Sequence, residues 1–420
     1  ARSVAPLVLS VFLGALALTG CESIFGPGEP DGPPPEITQL PRPLTTGETE
    51  ALGASNRFGF DLLQVILTDA PSETHFLSPL SASMALGMAL NGADGGTRDA
   101  MRAALRFDGL GEEEINDAYL GLLTLLDGLD PRVWFQIANG VWYRDGLTPR
   151  QGFLDRVTEH FGAAVEGIDF TDPAAAELIN AWVEDATGGR IEDMVAPPIP
   201  GNVVAMLLNA IHFKGDWREK FDAVQTTEAP FHGPDGPAGT VDLMEQDEDF
   251  RYHFTPSYAA VELPYGGGAF VMDVIVPAGD EIVAGVLGEL ADGGWAELTD
   301  ALAARSADRV HVLLPRFELE WERTLNDDLS EMGMGIAFGG GADFTRMFED
   351  SNPYIDEVRQ KSFVRVDEEG TEAAAATLVV MADSAPPEIR ADRPFLFAIR
   401  ERLSGTILFL GAVMEAPPAA

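Results

Sequence analysis

The side chains that could bind a metal or act as a nucleophile are few in this 420-residue chain. Its six histidines, from His75 to His311, lack the spacing of a metal site, and the sequence contains no Gly-x-Ser-x-Gly, Ser-x-x-Lys or His-Glu-x-x-His motif. The glycine runs 266–268 and 339–341 are typical of turns, since neither joins a strand to a helix as a phosphate-binding loop does. The sequence therefore favours a protein that is not an enzyme and that needs no cofactor or metal.

The only cysteine, Cys21, closes an apolar run that extends from Val4 to Leu18. This run is too short for a membrane-spanning helix and is typical of a signal-peptide core. Residues 18–21, Leu-Thr-Gly-Cys, resemble the bacterial lipobox, in which a peptidase cuts before the cysteine and the sulfur carries a diacylglycerol. We therefore predict a signal peptide over residues 1–20 and a lipid on Cys21. An ordinary signal peptide with a chance cysteine is the alternative.

These features predict a bacterial lipoprotein that is exported across the inner membrane. The lipid would attach the protein to a membrane, either the outer membrane or the cell surface. The domain would then lie in the extracellular space. Glu22, which follows the cysteine, favours sorting outward by analogy with other lipoproteins.

The segment that follows residue 366 has the properties of a strand that can enter a sheet. Gly370 provides a hinge with free backbone angles, and no proline occurs between it and Pro386. In an extended chain one face would carry only small or apolar side chains, namely those of Thr371, Ala373, Ala375, Thr377, Val379 and Met381. The alanine run would favour a helix by propensity alone. Because every backbone donor is available, this segment could instead pair within a sheet.

The elements that precede and follow this segment predict an α+β fold. Apolar residues at helical spacing run from Asn56 to Leu67, and Ser78 and Pro79 are typical of the N-cap and first residue of a helix that reaches Leu90. Strand-like runs cover residues 136–143, 203–213, 258–263, 270–276, 310–314, 395–400 and 406–414.

Composition divides the chain into a spacer and one domain. Residues 26–47 are crowded with proline and glycine, so we predict a lipidated cysteine and linker over residues 21–48 and one domain over residues 49–418. The 27 Lys+Arg against 68 Asp+Glu give a net charge of −41. A field of this sign repels nucleic acids, which excludes them as partners.

Several motifs resemble one family in the same order over about 350 residues. The hinge of inhibitory serpins is matched almost letter for letter by Glu368, Glu369, Gly370, Thr371, Glu372, Ala373, Ala374, Ala375, Ala376 and Thr377. Further serpin-like stretches lie at 76–81, 209–217, 263–265, 314–317, 392–397 and 405–411. The resemblance implies a monomeric single domain with three β-sheets, eight or nine helices and an exposed reactive-centre loop.

The resemblance also implies a mechanism. A target protease attacks the loop and forms an acyl-enzyme, the loop inserts into the central sheet, and the distorted protease stalls before deacylation. The positions of the loop that would face inward hold small side chains, which favours a serine protease inhibitor. A non-inhibitory binding protein with the same fold is the alternative. The resemblance further places a sheet-opening region at Ser78, Ser81, Asn209 and Gln360. Gln360 stands where many serpins have a histidine, so a pH-sensitive trigger is not expected there.

The scissile bond depends on how the loop is counted. Counting forward from the hinge gives Ser384-Ala385, and counting backward from Pro386 gives Asp383-Ser384. Asp383 before the bond would indicate a caspase-like cysteine protease or another Asp-selective enzyme. Ser384 or Ala385 indicates a serine protease with a small-residue pocket, which we favour. Met381 and Ala382 are further candidates for the bait.

Overall fold

The computed structural model describes residues 35–233, 236–370 and 386–418, and these ranges contain nine α-helices. Their bounds are α1 (Thr46–Asp69), α2 (Pro79–Leu90), α3 (Gly95–Ala104), α4 (Glu112–Leu126), α5 (Gln151–Phe161), α6 (Ala175–Ala186), α7 (Val283–Glu289), α8 (Trp295–Ala304) and α9 (Asn326–Leu329). Helices dominate the first half, as the hydrophobic periodicity predicts.

The first two helices begin at residues whose side chains satisfy free backbone donors. Thr45 and Glu48 form a capping box at the start of α1. The Ser78 hydroxyl accepts a hydrogen bond from the Ser81 amide at 3.2 Å, and Pro79 is the first residue of α2. The prediction of this helix is confirmed, and nearly all of α2 is buried.

Fourteen strands form three sheets in the described ranges. The strands are β1 (His75–Leu77), β2 (Val133–Arg144), β3 (Ala164–Ile168), β4 (Ala205–Gly215), β5 (Thr227–Gly233), β6 (Gly236–Phe254), β7 (Tyr258–Pro264), β8 (Phe270–Pro277), β9 (Asp308–Pro315), β10 (Phe317–Thr324), β11 (Arg359–Val366), β12 (Glu388–Arg390), β13 (Phe395–Glu401) and β14 (Ile407–Val413). The largest sheet has the order β1-β14-β13-β8-β7-β6-β9-β12, with β5 paired to β6. The predicted α+β class with three sheets is confirmed.

The main hydrophobic core includes buried residues of the helices, of the large sheet and of both smaller sheets. β13 and β14 are buried along their whole length. The Phe76 ring stacks on the rings of Phe397 and Phe409, with centroids 5.7 and 5.2 Å apart. The apolar runs near the end of the chain are therefore central strands, which explains why they do not alternate with polar residues.

The two smaller sheets are β3-β2-β4 and β10-β11. β2 and β4 are antiparallel over eleven residue pairs, and β10 and β11 are antiparallel over eight. Hydrogen bonds in the described ranges pair β4 with β2 and β11 with β10, and none of them pairs β4 with β11.

The packed part of the chain starts earlier than the proline and glycine content indicates. Helix α1 begins at Thr46, and the Ile37 amide already donates to the Gly267 carbonyl at 2.8 Å. Arg42 forms two hydrogen bonds, of 2.6 and 2.7 Å, with the buried Glu48 carboxylate. Composition averages over the whole spacer, and so it conceals these anchoring residues. Among the helices in the described ranges, none has the length and apolar character needed to cross a membrane.

Candidate functional site

The described part of the hinge lies directly after β11. This strand ends at Val366, and residues 367–370 form a turn in which Asp367 and Gly370 make an isolated bridge. Gly370 has φ of +106°, and a Cβ atom there would lie 2.2 Å from the Trp217 backbone nitrogen. Only glycine fits this position, because both the backbone angle and the close approach exclude a side chain.

Trp217, just after β4, holds the hinge through two hydrogen bonds. Its backbone amide donates to the Glu369 carbonyl at 2.9 Å, and its indole Nε1 donates to the Asp367 carbonyl at 2.9 Å. The indole is buried and stacks on the Tyr265 ring, with centroids 4.3 Å apart and an interplanar angle of 13°. We call these contacts of Trp217 with residues 367–370 the hinge clamp.

Glu368 adds a second set of contacts to the hinge. Its carbonyl accepts from the Phe221 amide at 2.8 Å, and its carboxylate accepts from the Thr226 hydroxyl at 2.6 Å. Arg316 lies 3.7 Å from the same carboxylate. Burial raises the pKa of the neighbouring Asp367 carboxyl. The two acidic side chains are therefore held in a partly desolvated turn.

Three of the four predicted sheet-opening residues line one cavity of about 430 Å³, and the fourth, Ser78, is hydrogen-bonded to one of them. The Gln360 side chain donates to the Ser78 carbonyl at 2.9 Å and accepts from the Ser78 amide at 3.3 Å, so it joins β11 to the start of α2. Asn209 of β4 donates to Asn139 of β2 at 2.6 Å. Gln360, Ser81 and Asn209 line the cavity from β11, α2 and β4.

The strands β4 and β11 run in the same direction on the two sides of this cavity. Their first residues, 205–209 and 359–361, line it together, whereas Trp217 and Glu369, which follow their last residues, are hydrogen-bonded to each other. A chain that turned back at Gly370 would run antiparallel to both strands, which is the more stable pairing.

A second cleft of about 200 Å³ lies between the same two strands, closer to the hinge. The Trp134 ring packs edge-on against the His212 ring, with centroids 4.6 Å apart. The guanidinium of Arg190 lies 5.3 Å from the centroid of the Phe363 ring. Burial, together with Arg190 and Lys214, lowers the pKa of His212 to about 4. This histidine is therefore neutral at pH 7.

Other predicted site residues lie outside the described ranges. These are Cys21, residues 371–377 of the hinge and the candidate bond residues Asp383, Ser384 and Ala385. The chain is described again from Pro386, and its β12 pairs in parallel with β9 over three residues. The segment 371–385 is therefore bounded by the hinge clamp before it and by the large sheet after it.

The sequence does not predict the hinge clamp. Trp217 and Arg316 belong only to serpin-like stretches, and Phe221 and Thr226 lie in none of the motifs described above. A buried tryptophan needs a hydrogen-bond acceptor for its N–H group, and this was the available signal for Trp217.

Comparison with known proteins gives the family of this chain. The family model described as "Serpin (serine protease inhibitor)" matches residues 53–416. An uncharacterized serpin-like protein of Thermococcus kodakarensis is 35% identical over 381 residues, which cover 88% of this chain and 86% of that protein. The leukocyte elastase inhibitor of Sus scrofa is 34% identical over 382 residues, which cover 86% of this chain and 98% of the inhibitor.

Solved structures agree with this result. The native state of the thermophilic serpin tengpin superposes with a TM-score of 0.78 at 26% identity, covering 91% of this chain and 97% of tengpin. The chain belongs to the serpin family. Members of this family are typically protease inhibitors rather than enzymes.

Proposed function

We propose that this protein inhibits serine proteases as a suicide substrate, by inserting its cleaved loop between β4 and β11. The observation that carries the proposal is the arrangement of these strands, which run in the same direction beside a cavity and meet at the hinge. Gly370 stands where the chain must turn back to enter between them.

The length and composition of the loop support the same mechanism. From Thr371 to the candidate bond is about 14 residues, which span roughly 45 Å when extended. β4 alone has 11 residues, so the insertable segment and its neighbour are of similar length. Bulky or charged side chains on the inward face would oppose burial, and Thr371 and Ala373 are neither.

We propose a serine protease with a small-residue specificity pocket as the target, with cleavage at Ser384-Ala385 or Asp383-Ser384. The small residues near this bond support the proposal, as does the name of the Sus scrofa relative, an elastase inhibitor. If Asp383 directs cleavage, the expected target is instead a caspase-like cysteine protease.

We also propose that Cys21 carries a lipid and that the inhibitor acts as a monomer at a bacterial cell surface. The only cysteine is the last residue of a lipobox-like sequence at the end of an apolar run, which supports this. Mass spectrometry of membrane-extracted protein tests it through the mass of the amino-terminal peptide, which Cys21→Ser should leave without a diacylglycerol.

Incubation with elastase, subtilisin, chymotrypsin and a caspase tests the inhibitory mechanism. An SDS-stable complex with one of them is expected, together with a higher melting temperature of the cleaved protein. Mass spectrometry of the released peptide then identifies the bond. Cleavage by these enzymes with neither a complex nor a rise in melting temperature would instead indicate a non-inhibitory serpin.

Two arginine substitutions separate insertion from simple binding. Thr371→Arg places a charge on the inward face and is expected to convert the inhibitor into a substrate. Glu372→Arg is the matched control, because it introduces the same side chain one residue later, on the face that already carries a charge. Equal complex yields from the two variants would contradict the insertion mechanism.

A further inference from the structure

We propose that the segment just before α1 holds the hinge clamp in position and so slows release of the hinge. We call residues 36–45 the amino-terminal strap. The proposal rests on the proposed function in one respect: release of the hinge is taken as the first step of loop insertion.

The strap is fixed to the turn that joins β7 to β8. Besides donating to the Gly267 carbonyl at 2.8 Å, Ile37 accepts from the Arg402 guanidinium at 2.9 Å through its own carbonyl. The Glu36 carboxylate lies 2.9 Å from Arg402 and 3.5 Å from Arg251. Because Glu36 is largely exposed, its ion pairs contribute little. The half-buried side chain and the backbone of Ile37 therefore provide most of the attachment.

The same turn contacts the hinge clamp from its other side. The Gly266 amide donates to the Asp216 carbonyl at 2.8 Å, and the Tyr265 ring stacks on the Trp217 indole. Three consecutive direct contacts thus connect the strap to Glu369: Ile37 to the turn, the turn to residues 216–217, and Trp217 to the hinge.

The turn depends on outside support because it consists of three consecutive glycines, two of which have positive φ. Glycines carry the greatest backbone entropy of any residue, so such a turn is mobile unless its polar groups are bonded. The Gly267 amide donates to the buried Asp130 carboxylate at 2.8 Å, and its carbonyl accepts from Ile37. The strap thus supplies one of the two bonds that fix this residue.

Strap and turn are also in close steric contact. A Cβ atom added at Gly267 would lie 2.9 Å from Ile37 Cδ1 and 3.1 Å from Ile37 Cγ1. Both are side-chain atoms of Ile37, so alanine at position 267 forces this side chain to move; the added Cβ would also lie 3.2 Å from the Asp130 carboxylate. Gly267 has no positive φ, so alanine there tests the contact without backbone strain.

Hydrogen–deuterium exchange of the uncleaved protein tests the strap without any protease. Ile37→Ala is expected to speed exchange of the Trp217 and Phe221 amides, which donate to the hinge, by about tenfold. Amides in the core strand β8 should exchange at the wild-type rate, since a general loss of stability would speed both sets. Ile282→Ala, at an exposed isoleucine elsewhere, is the matched control and should change neither.

A double-mutant cycle tests the contact between Ile37 and Gly267. Gly267→Ala should also speed exchange of the Trp217 and Phe221 amides. The double variant, Gly267→Ala with Ile37→Ala, should exchange these amides no faster than Ile37→Ala alone. The proposal would be overturned if the two substitutions had additive effects on these exchange rates. It would also be overturned if the Trp217 and Phe221 amides exchanged at the wild-type rate in both single variants. If the wild type forms no complex with any protease, the proposed function fails while these exchange rates still decide the role of the strap.

Discussion

Substitution of Gly370 by alanine perturbs the hinge at its most constrained point. The added Cβ atom would lie 2.2 Å from the Trp217 nitrogen, 2.6 Å from the Gly215 carbonyl oxygen and 2.7 Å from the Asp216 carbonyl carbon. All three neighbours are backbone atoms, so no side chain can rotate away. The hinge or the end of β4 must move, and the hydrogen bonds of the clamp are the contacts that break.

Two contributions give the size of the effect. Alanine at a φ of +106° costs about 1–2 kcal/mol of backbone strain. Loss of the two hydrogen bonds donated by Trp217 costs about 1 kcal/mol each. The sum is about 3–4 kcal/mol, which for a domain of about 370 residues lowers the melting temperature of the uncleaved protein by about 4–5 °C.

Two other glycines separate the strain from the collision. Gly146 has φ of +89° and no atom within 4 Å of its added Cβ. Gly146→Ala should therefore show the backbone strain alone and lower the melting temperature by about 2 °C. Gly339 has an extended backbone and equally open surroundings, so Gly339→Ala should leave the melting temperature unchanged. Thermal unfolding of the four proteins, followed by circular dichroism at one scan rate, gives the comparison.

The same substitution should act differently after cleavage. If the loop then inserts, Gly370 leaves the clamp and the collision disappears, so cleaved Gly370→Ala and cleaved wild type should melt within about 2 °C of each other. The reasoning is refuted if uncleaved Gly370→Ala melts no lower than Gly146→Ala. An equal loss before and after cleavage would refute the step in which the hinge leaves the clamp.

Two further predictions concern buried charge. Arg400→Met leaves the buried Asp273 carboxylate, 2.6 Å from the guanidinium, without its cation, whereas the Glu262 carboxylate keeps Arg251 at 3.0 Å. The variant is expected to cost about 3–5 kcal/mol in urea denaturation, and Arg400→Lys, which keeps the charge, should cost less. Burial and nearby cations lower the pKa of His212 in the folded protein to about 4. As pH falls below about 6.5, His212 therefore becomes protonated in the unfolded chain before it does in the folded protein. The wild type should therefore lose about 1–2 kcal/mol of stability between pH 6.5 and 4 that His212→Gln does not lose, and parallel pH profiles would contradict this.

Local sequence signals are sufficient to predict individual helices and strands. Ser78 and Pro79 predict the start of α2 because an N-cap and a first-turn proline act within one turn of the chain. The apolar run 406–414 predicts a strand for the same reason, since its length and apolar character are local properties, and β14 covers residues 407–413. Gly370 is predicted as a hinge from its residue type, the absence of proline after it and the serpin resemblance, and this stays a prediction; its φ of +106° is one that glycine adopts readily.

The contacts that position the hinge could not be predicted in this way. The bond from Trp217 to Glu369 joins residues about 150 positions apart, and nothing in either neighbourhood identifies the other. The strap is a similar case, because Ile37 is a single apolar residue in a segment whose average composition is typical of a spacer. Only the folded chain brings it to the turn at Gly267.

The composition of the hinge clamp bears on the proposed release of the hinge. Asp367, Glu368 and Glu369 are consecutive carboxylates, and burial raises the pKa of the first, which means that its charged form is disfavoured there. Arg365 at 3.2 Å from Asp367 and Arg316 at 3.7 Å from Glu368 offset this only in part, because both guanidiniums are about one-third exposed. Moving the hinge into solvent would recover the hydration of these carboxylates. It would also break the bonds that Trp217 and Phe221 donate to the hinge, and the buried Trp217 indole N–H would lose its acceptor, which costs about 1–3 kcal/mol. The proposed release of the hinge therefore depends on the balance of these two effects, and a contact outside the hinge clamp, such as the strap, can change that balance.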